Sequence, residues 1–99
     1  MTAYVVAQIQ IEDRTEYQHY LDGFLPSFLR HGGKMLATSG NATEVMEGEW
    51  AYPSTVILEF PSVAAAHAWH SDPEYAEVAR HRHRAARTNL AIVEGFEPG

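Results

Sequence analysis

The chain contains no cysteine. That excludes disulfides, thiolate nucleophiles, zinc fingers and iron–sulfur ligation at once. Positive charge is also scarce: seven Lys and Arg stand against 13 Asp and Glu, a formal net charge of −6. Nonspecific attraction to nucleic acid or anionic lipid is therefore not expected. No apolar run approaches the ~20 residues that span a bilayer, and the first residues follow a strand pattern, not that of a signal peptide. These features together predict a cytoplasmic protein without membrane or nucleic-acid partners. Repeats, low-complexity stretches and linkers are absent too. The 99 residues, 45% hydrophobic and 20% charged, describe one ordinary globular domain spanning 1–99.

Hydrophobic periodicity supplies the elements. From Tyr4 to Ile11 the apolar Val5, Ala7, Ile9 and Ile11 alternate with Tyr4, Val6, Gln8 and Gln10, a strand with one apolar and one mixed face. Asp13 stands three residues before Glu16, the spacing of a helix capping box. Tyr17, Tyr20, Leu21, Phe24, Phe28 and Leu29 then follow at helical intervals. Gly23 and Pro26 predict a kink or split in this helix, and His31-Gly32-Gly33 its end. Lys34 to Ser39 reads as a second strand, Gly40-Asn41 as a turn, Thr43 to Glu47 as a short extension or hairpin arm, and Gly48 to Pro53 as a loop. Thr55 to Phe60 is the most strand-like run, closed by Pro61. Ser62 caps an alanine-rich helix to about His70; Asp72 and Pro73 restart it to about Arg87. Leu90 to Glu94 is the last strand and Gly95 to Gly99 a tail.

The resulting order is β-α-β-β-α-β, the split βαβ arrangement. It predicts an α+β, ferredoxin-like fold: a four-stranded antiparallel sheet with two helices on one face. The uncovered face is expected to carry Gln8, Gln10, Thr38, Thr55 and Glu59 together with Tyr4, Val6 and Ile57. That mixture is too apolar for free exposure and too polar for a dry core, so it predicts a homodimer formed through the open sheet face, with a cavity between its halves. The alternative is a solvated face with scattered apolar residues.

Several pieces resemble one known family: His31-Gly32-Gly33, Glu47-Gly48-Glu49-Trp50, the run from Ile57 to Ser62, Ala68-Trp69, Pro73-Glu74-Tyr75, Arg82 and Val93-Glu94-Gly95. In this order and spacing, from Tyr4 to Phe96, they are similar to the domain of unknown function 1330 family of the dimeric α/β-barrel superfamily. The resemblance implies a ferredoxin-like protomer and a barrel-forming dimer, without an agreed activity. Related superfamily members include cofactor-free monooxygenases, lactone isomerases and haem enzymes, so fold alone selects no reaction.

Candidate chemistry rests on individual residues. Glu59 interrupts an apolar strand and is a candidate general base; as a structural residue it is a carboxylate at a dimer rim. His31, at a helix end beside two glycines, is a second candidate for proton transfer or a cap favourable to the helix dipole. Arg82 falls on the apolar line of Tyr75, Val78, Ala79 and Ala86. A guanidinium there needs an acceptor, either a protein carboxylate or the carboxylate or enolate of a small ligand. Gln8 on the mixed face, Tyr20 through its hydroxyl, Trp69 at the helix break and Asn89 before the last strand are candidate ligand contacts; Trp69 as a core plug and Asn89 as a cap are the structural readings. His67 and His70 are one turn apart but lack a zincin glutamate, and His81 and His83 point to different helix faces, so no metal site and no cofactor are assigned. The serines lack a nucleophile-elbow context, and no phosphate loop is present. The leading functional expectation is a cofactor-free enzyme, isomerase- or monooxygenase-like, acting on a small acid, lactone or enolisable carbonyl. The alternative is a non-catalytic small-molecule-binding or structural dimer.

Overall fold

A computed structural model describes residues 1–38 and 42–96. The expected Ser39 end of the second strand, the Gly40-Asn41 turn and the last three residues of the tail lie outside the described residues. The elements are β1 (Ala3–Ile11), α1 (Arg14–Arg30), β2 (Lys34–Thr38), β3 (Ser54–Phe60), α2 (Val63–Ser71), α3 (Pro73–Ala85) and β4 (Ala86–Glu94). The strands form one antiparallel sheet in the order β2-β3-β1-β4, with the two long strands β1 and β4 paired along their whole length. This is the ferredoxin-like α+β fold predicted from the element order.

The caps form where the sequence places them. The Asp13 side chain accepts from the Glu16 amide, that of Ser62 from the Ala65 amide, and that of Asp72 from the Glu74 amide, with Pro73 in the first helical turn. Each satisfies an amide that the helix geometry leaves without an internal acceptor. Gly32 adopts the left-handed conformation, φ 79°, at the end of α1. Gly33 follows because an added Cβ there would sit 2.3 Å from the Phe28 ring.

Alternation holds in β1 and β3. Ala3, Val5, Ala7 and Ile9 are buried under the helices, as are Leu58 and Phe60, while Tyr4, Val6, Gln8, Ile57 and Glu59 point to the open face. The core is a continuous aromatic stack: Phe24, Phe28, Phe60, Trp69 and Tyr75 meet at ring separations of 4.2 to 6.4 Å. Such rings contribute the largest single burial energies in a domain of this size, about 1.5–3 kcal/mol each by area alone.

Five expectations need correction. Helix α1 is one continuous helix through Gly23 and Pro26. A single lost backbone bond at Pro26 is outweighed by the anchoring of Phe24 and Phe28, which sit on either side of it in the core. The buried stripe of α1 is Tyr17, Tyr20, Phe24, Ser27 and Phe28, whereas Leu21 and Leu29 are about half exposed. Thr43 to Glu47 forms no strand; Thr43 instead pins the loop by bonds to the Pro53 carbonyl and the Thr55 hydroxyl. Helix α3 ends at Ala85, and the last strand begins at Ala86, four residues before Leu90. The Ala85 carbonyl accepts from the amides of Glu12 and Asp13, so the β1 end is tied to this point and Ala86 pairs directly with Ile11. Finally, a register shift in β2 between Met35 and Ala37 places Thr38 opposite Val56, on the helix-covered face and not the open one.

Candidate functional site

The cavity that the fold builds lies between the helices and the sheet. It encloses about 430 Å³. Ile9, Leu58 and Leu90 belong to its sheet side, Tyr17, Tyr20 and Phe24 to the α1 side, and Trp69 and Arg82 reach it from α2 and α3. The β2 register shift brings Met35 and Thr38 to it from the sheet edge. Its volume is in the range of small-molecule sites, and its lining is apolar with a few polar groups, the usual composition of such sites.

Arg82 is the buried charge at this cavity; Arg14, which is exposed, lines it as well. Arg82 is 6% exposed, yet no carboxylate among the described residues pairs with it. The reason for its burial is local: α3 turns Tyr75, Ala79, Arg82 and Ala85 inward at helical spacing, so Arg82 occupies a core position. Its guanidinium carbon lies 5.5 Å from the centroid of the Tyr20 ring. Burial alone would lower its pKa, but the neighbouring oxygens of Tyr75 and Tyr20 outweigh that and the net shift is upward. It is a permanent cation in an apolar wall.

Beside it, the Tyr20 and Tyr75 hydroxyls share a 2.8 Å hydrogen bond. Burial first, and then the neighbouring Tyr75, push the Tyr20 phenol far above its ordinary range. Burial raises Tyr17 as well. Both are neutral phenols at any ordinary pH, fit to donate a hydrogen bond and unfit to give up a proton or to act as bases. Trp69 plugs the core between Phe60 and Tyr75 and lines the cavity at the same time.

The other candidates lie elsewhere. Glu59 is on the open face, half-buried, opposite Tyr4 and Lys34, and no hydrogen bond or ion pair reaches it among the described residues. Gln8 and Asn89 are neighbours on that face, with the Asn89 amide 3.5 Å from the Gln8 carbonyl oxygen. His31 caps α1 and places Nε2 2.7 Å from the Asp72 carboxylate, which Arg30 also holds at 2.6 Å. The His31 and Arg30 hydrogen bonds and the Glu74 amide together hold the Asp72 carboxyl far below the usual carboxylate range. Arg82, Tyr20 and Trp69 thus share one cavity; Glu59, Gln8 and Asn89 share the open face; His31 belongs to a junction between α1 and α3.

Within the Arg80-to-Arg84 run, Arg80, His81 and Arg84 have carboxylate partners, Glu77 for the first and Glu16 for the other two. His81 Nδ1 and the Arg84 Nε–H both meet the Glu16 carboxylate, at 2.8 and 2.9 Å, and the His81 bond followed by that of Arg84 lowers the Glu16 pKa. A second groove of about 590 Å³ runs between α2 and β4, with His67, His70 and Glu94 among its lining residues. No three His, Asp or Glu side chains among the described residues come together as a metal site.

Thr88 in the cavity wall and the Tyr75 hydroxyl next to Tyr20 are not among the sequence candidates. Thr88 received no face because β4 was expected to begin at Leu90; the alternation of Thr88, Leu90 and Ile92 was the available signal. Tyr75 was placed on the apolar stripe of α3, but its bond to Tyr20, 55 positions away, had no local signature.

Comparison with known proteins follows this geometry. The family model described as a domain of unknown function, DUF1330, matches residues 2–96, and the chain belongs to that family. No functionally curated protein matches the chain. Among solved structures, a protein of unknown function from Rhodopseudomonas palustris is 24% identical, with a TM-score of 0.77 over 98% of this chain and 84% of that one. A dimeric ferredoxin-like protein of unknown function from Jannaschia is 13% identical, with a TM-score of 0.66 over 96% of this chain and 100% of that one. SnoaB, a cofactor-independent oxygenase from Streptomyces nogalater, is 10% identical, with a TM-score of 0.65 over 98% and 95%.

Proposed function

We propose that this DUF1330 domain is a homodimeric small-molecule-binding protein, and that each helix-side cavity takes a compact, largely apolar acid or enolisable carbonyl compound. One observation carries the proposal: a permanent guanidinium, 6% exposed, borders an apolar cavity with no carboxylate among the described residues to neutralise it. A buried charge left without a counter-ion costs several kcal/mol. The Tyr20 ring and the tyrosine hydroxyls compensate part of this. A ligand carboxylate or enolate would supply the rest, through charge-assisted bonds to the guanidinium fork.

In this reading the open face, with Tyr4, Val6 and Ile57 among Gln8, Thr55, Asn89 and Glu59, is the surface on which the second subunit sits. Glu59 then serves the interface and His31 the α1–α3 junction, and neither is assigned a proton transfer.

A second reading is cofactor-free catalysis through an enolate. It draws support from the pairing of Arg82 with the Tyr20 phenol, a cation and a hydrogen-bond donor suited to stabilising an oxyanion. A cofactor-independent oxygenase shares the fold. Against it, the described residues lining the cavity include neither carboxylate nor imidazole to serve as a general base, and binding is the primary reading.

Calorimetric titration with benzoate, phenylacetate and hexanoate tests the proposal. At least one acid should bind the wild-type protein, and Arg82→Gln should weaken that binding about tenfold or more. Equal affinity in the two proteins would remove Arg82 as the anchor and the proposal with it.

A further inference from the structure

Two polar atoms at the cavity residues have no partner. The Trp69 indole Nε1 and the Thr88 hydroxyl are both buried from solvent and bonded to nothing among the described residues. Both residues line the cavity, and Trp69 is 1% exposed. A buried N–H without an acceptor is destabilising by about 1–3 kcal/mol. The indole cannot escape by exchanging roles, because it only donates. Nor can the ring turn to find an acceptor: it is wedged with its centroid 5.1 Å from that of Phe60 and 4.2 Å from that of Tyr75.

Arg82, on the other side of Tyr75, is also a donor only. Beyond the exposed Arg14 and Gln18, the cavity offers a buried charged donor, an uncharged donor and hydroxyls, without a carboxylate among the described lining residues. A ligand with a single anionic group would satisfy Arg82 and leave the indole orphaned. A second carboxylate would set two negative charges against a single buried cation, since Arg14 is exposed, and its desolvation beside Trp69 would cost more than the indole bond returns. A neutral carbonyl oxygen meets the requirement. It accepts without donating, and it adds no charge.

Resting on the reading of this cavity as the ligand site, we infer that its ligand is an oxo acid: an apolar or aromatic body carrying a carboxylate for Arg82 and a ketone oxygen for the Trp69 N–H. The ketone is then the discriminating group. Its replacement by CH₂ leaves the charge contact in place and returns the indole to its unpaired state, a loss of about tenfold in affinity.

Matched pairs of acids test this with ¹⁵N-labelled protein: benzoylformate against phenylacetate, and 3-benzoylpropanoate against 4-phenylbutanoate. The two spacings cover the separation of the anchors. In at least one pair the oxo acid should bind about tenfold tighter than its partner and move the Trp69 indole N–H resonance downfield. The Trp50 indole, which donates to the Thr55 hydroxyl, should stay in place as the reference. Trp69→Phe should erase the difference within the pair; should that variant not fold, the wild-type resonance decides alone. Equal binding within both pairs, with a Trp69 resonance indifferent to the ketone, overturns the inference. If Arg82→Gln still weakens all four acids, the cavity remains the ligand site and only the oxo-acid assignment falls. If none of the four binds, the cavity reading falls first and the inference with it.

Discussion

The guanidinium carbon of Arg82 stands 5.5 Å from the centroid of the Tyr20 ring, and the hydroxyl of Tyr20 reaches that of Tyr75 at 2.8 Å. This contact joins α1 to α3 by way of a cation, a π face and a hydrogen bond, all inside the apolar layer. It is an arrangement that stability alone does not favour. A hydrocarbon of similar length at position 82 would fill the same space without carrying a charge out of water.

Arg82→Met should therefore yield a more stable protein that no longer holds small acids. Removal of buried charges in favour of apolar side chains stabilises by about 1–3 kcal/mol in comparable cases. For a domain of this size that raises the melting midpoint by roughly 4–8 °C per kcal/mol. Calorimetric melting with parallel ligand titration checks both halves. A variant that melts lower and binds normally would show that Arg82 is a packing residue with its charge already satisfied.

Tyr20 predicts a characteristic alkaline limit. Its folded pKa is raised far above the unfolded value, chiefly by burial. The stability it contributes is complete below about pH 10 and is lost as pH rises from there toward the folded value. Unfolding free energy should fall by about 1.4 kcal/mol per pH unit for this tyrosine above about pH 10. Tyr20→Phe should remove that component of the slope, although it also forfeits the bond to Tyr75. Denaturant titrations between pH 9 and about pH 11 measure it; an unchanged slope in the variant would mean that Tyr20 ionises freely.

How far these residues could be found from sequence differs by element. Val5, Ala7, Leu58 and Phe60 announce their faces because strand alternation is a local rule, and the caps at Asp13, Ser62 and Asp72 do so because capping is a contact over two or three residues. The burial of Arg82 was legible from its place on the Tyr75 and Ala79 stripe. Its company was not. The Tyr20–Tyr75 bond is a long-range event, and the side on which the cavity opens depends on how closely α1 approaches the sheet. The face of Thr38 was lost for a different reason: one extra residue in β2 inverts the alternation, and a bulge leaves no mark on a single strand read alone. Glu59 was conspicuous because it breaks a pattern, yet the pattern it breaks is that of the open face, away from the cavity.

Asp72 should set the acid end of the stability profile. It caps α3 and receives His31 and Arg30 from the end of α1, so its folded pKa is strongly depressed, by His31 first and Arg30 next. Its stabilising contribution is present above the unfolded value of about 3.9 and is lost as pH falls through the folded value. Asp72→Asn keeps an acceptor for the helix cap but abolishes the charge. The variant should melt several degrees lower at neutral pH, and the gap to wild type should close on acidification below about pH 4. A gap that stays constant from neutral pH into acid would assign the effect to the cap alone.

Ile57 lies at the centre of the open face, paired with Val6 on one side and Ala37 on the other. Ala91 continues the same row beyond Val6, and Tyr4 and Val93 extend the apolar surface in the next row toward the Glu59 end. Ile57→Glu places a charge where a partner sheet would have to desolvate it, with no cation facing it from the row. In a dimer formed through this face the substitution should be decisive: light scattering should give roughly twice the 11.1 kDa protomer mass for the wild-type protein and the protomer mass for the variant. The helix-side cavity is on the opposite side of the sheet, so binding of small acids should persist in the monomer if each cavity is built within one protomer. A wild-type protein that scatters as a monomer at micromolar concentration would sink the dimer. A variant that dissociates and loses acid binding together would instead show that the second subunit holds α1 in place over the cavity.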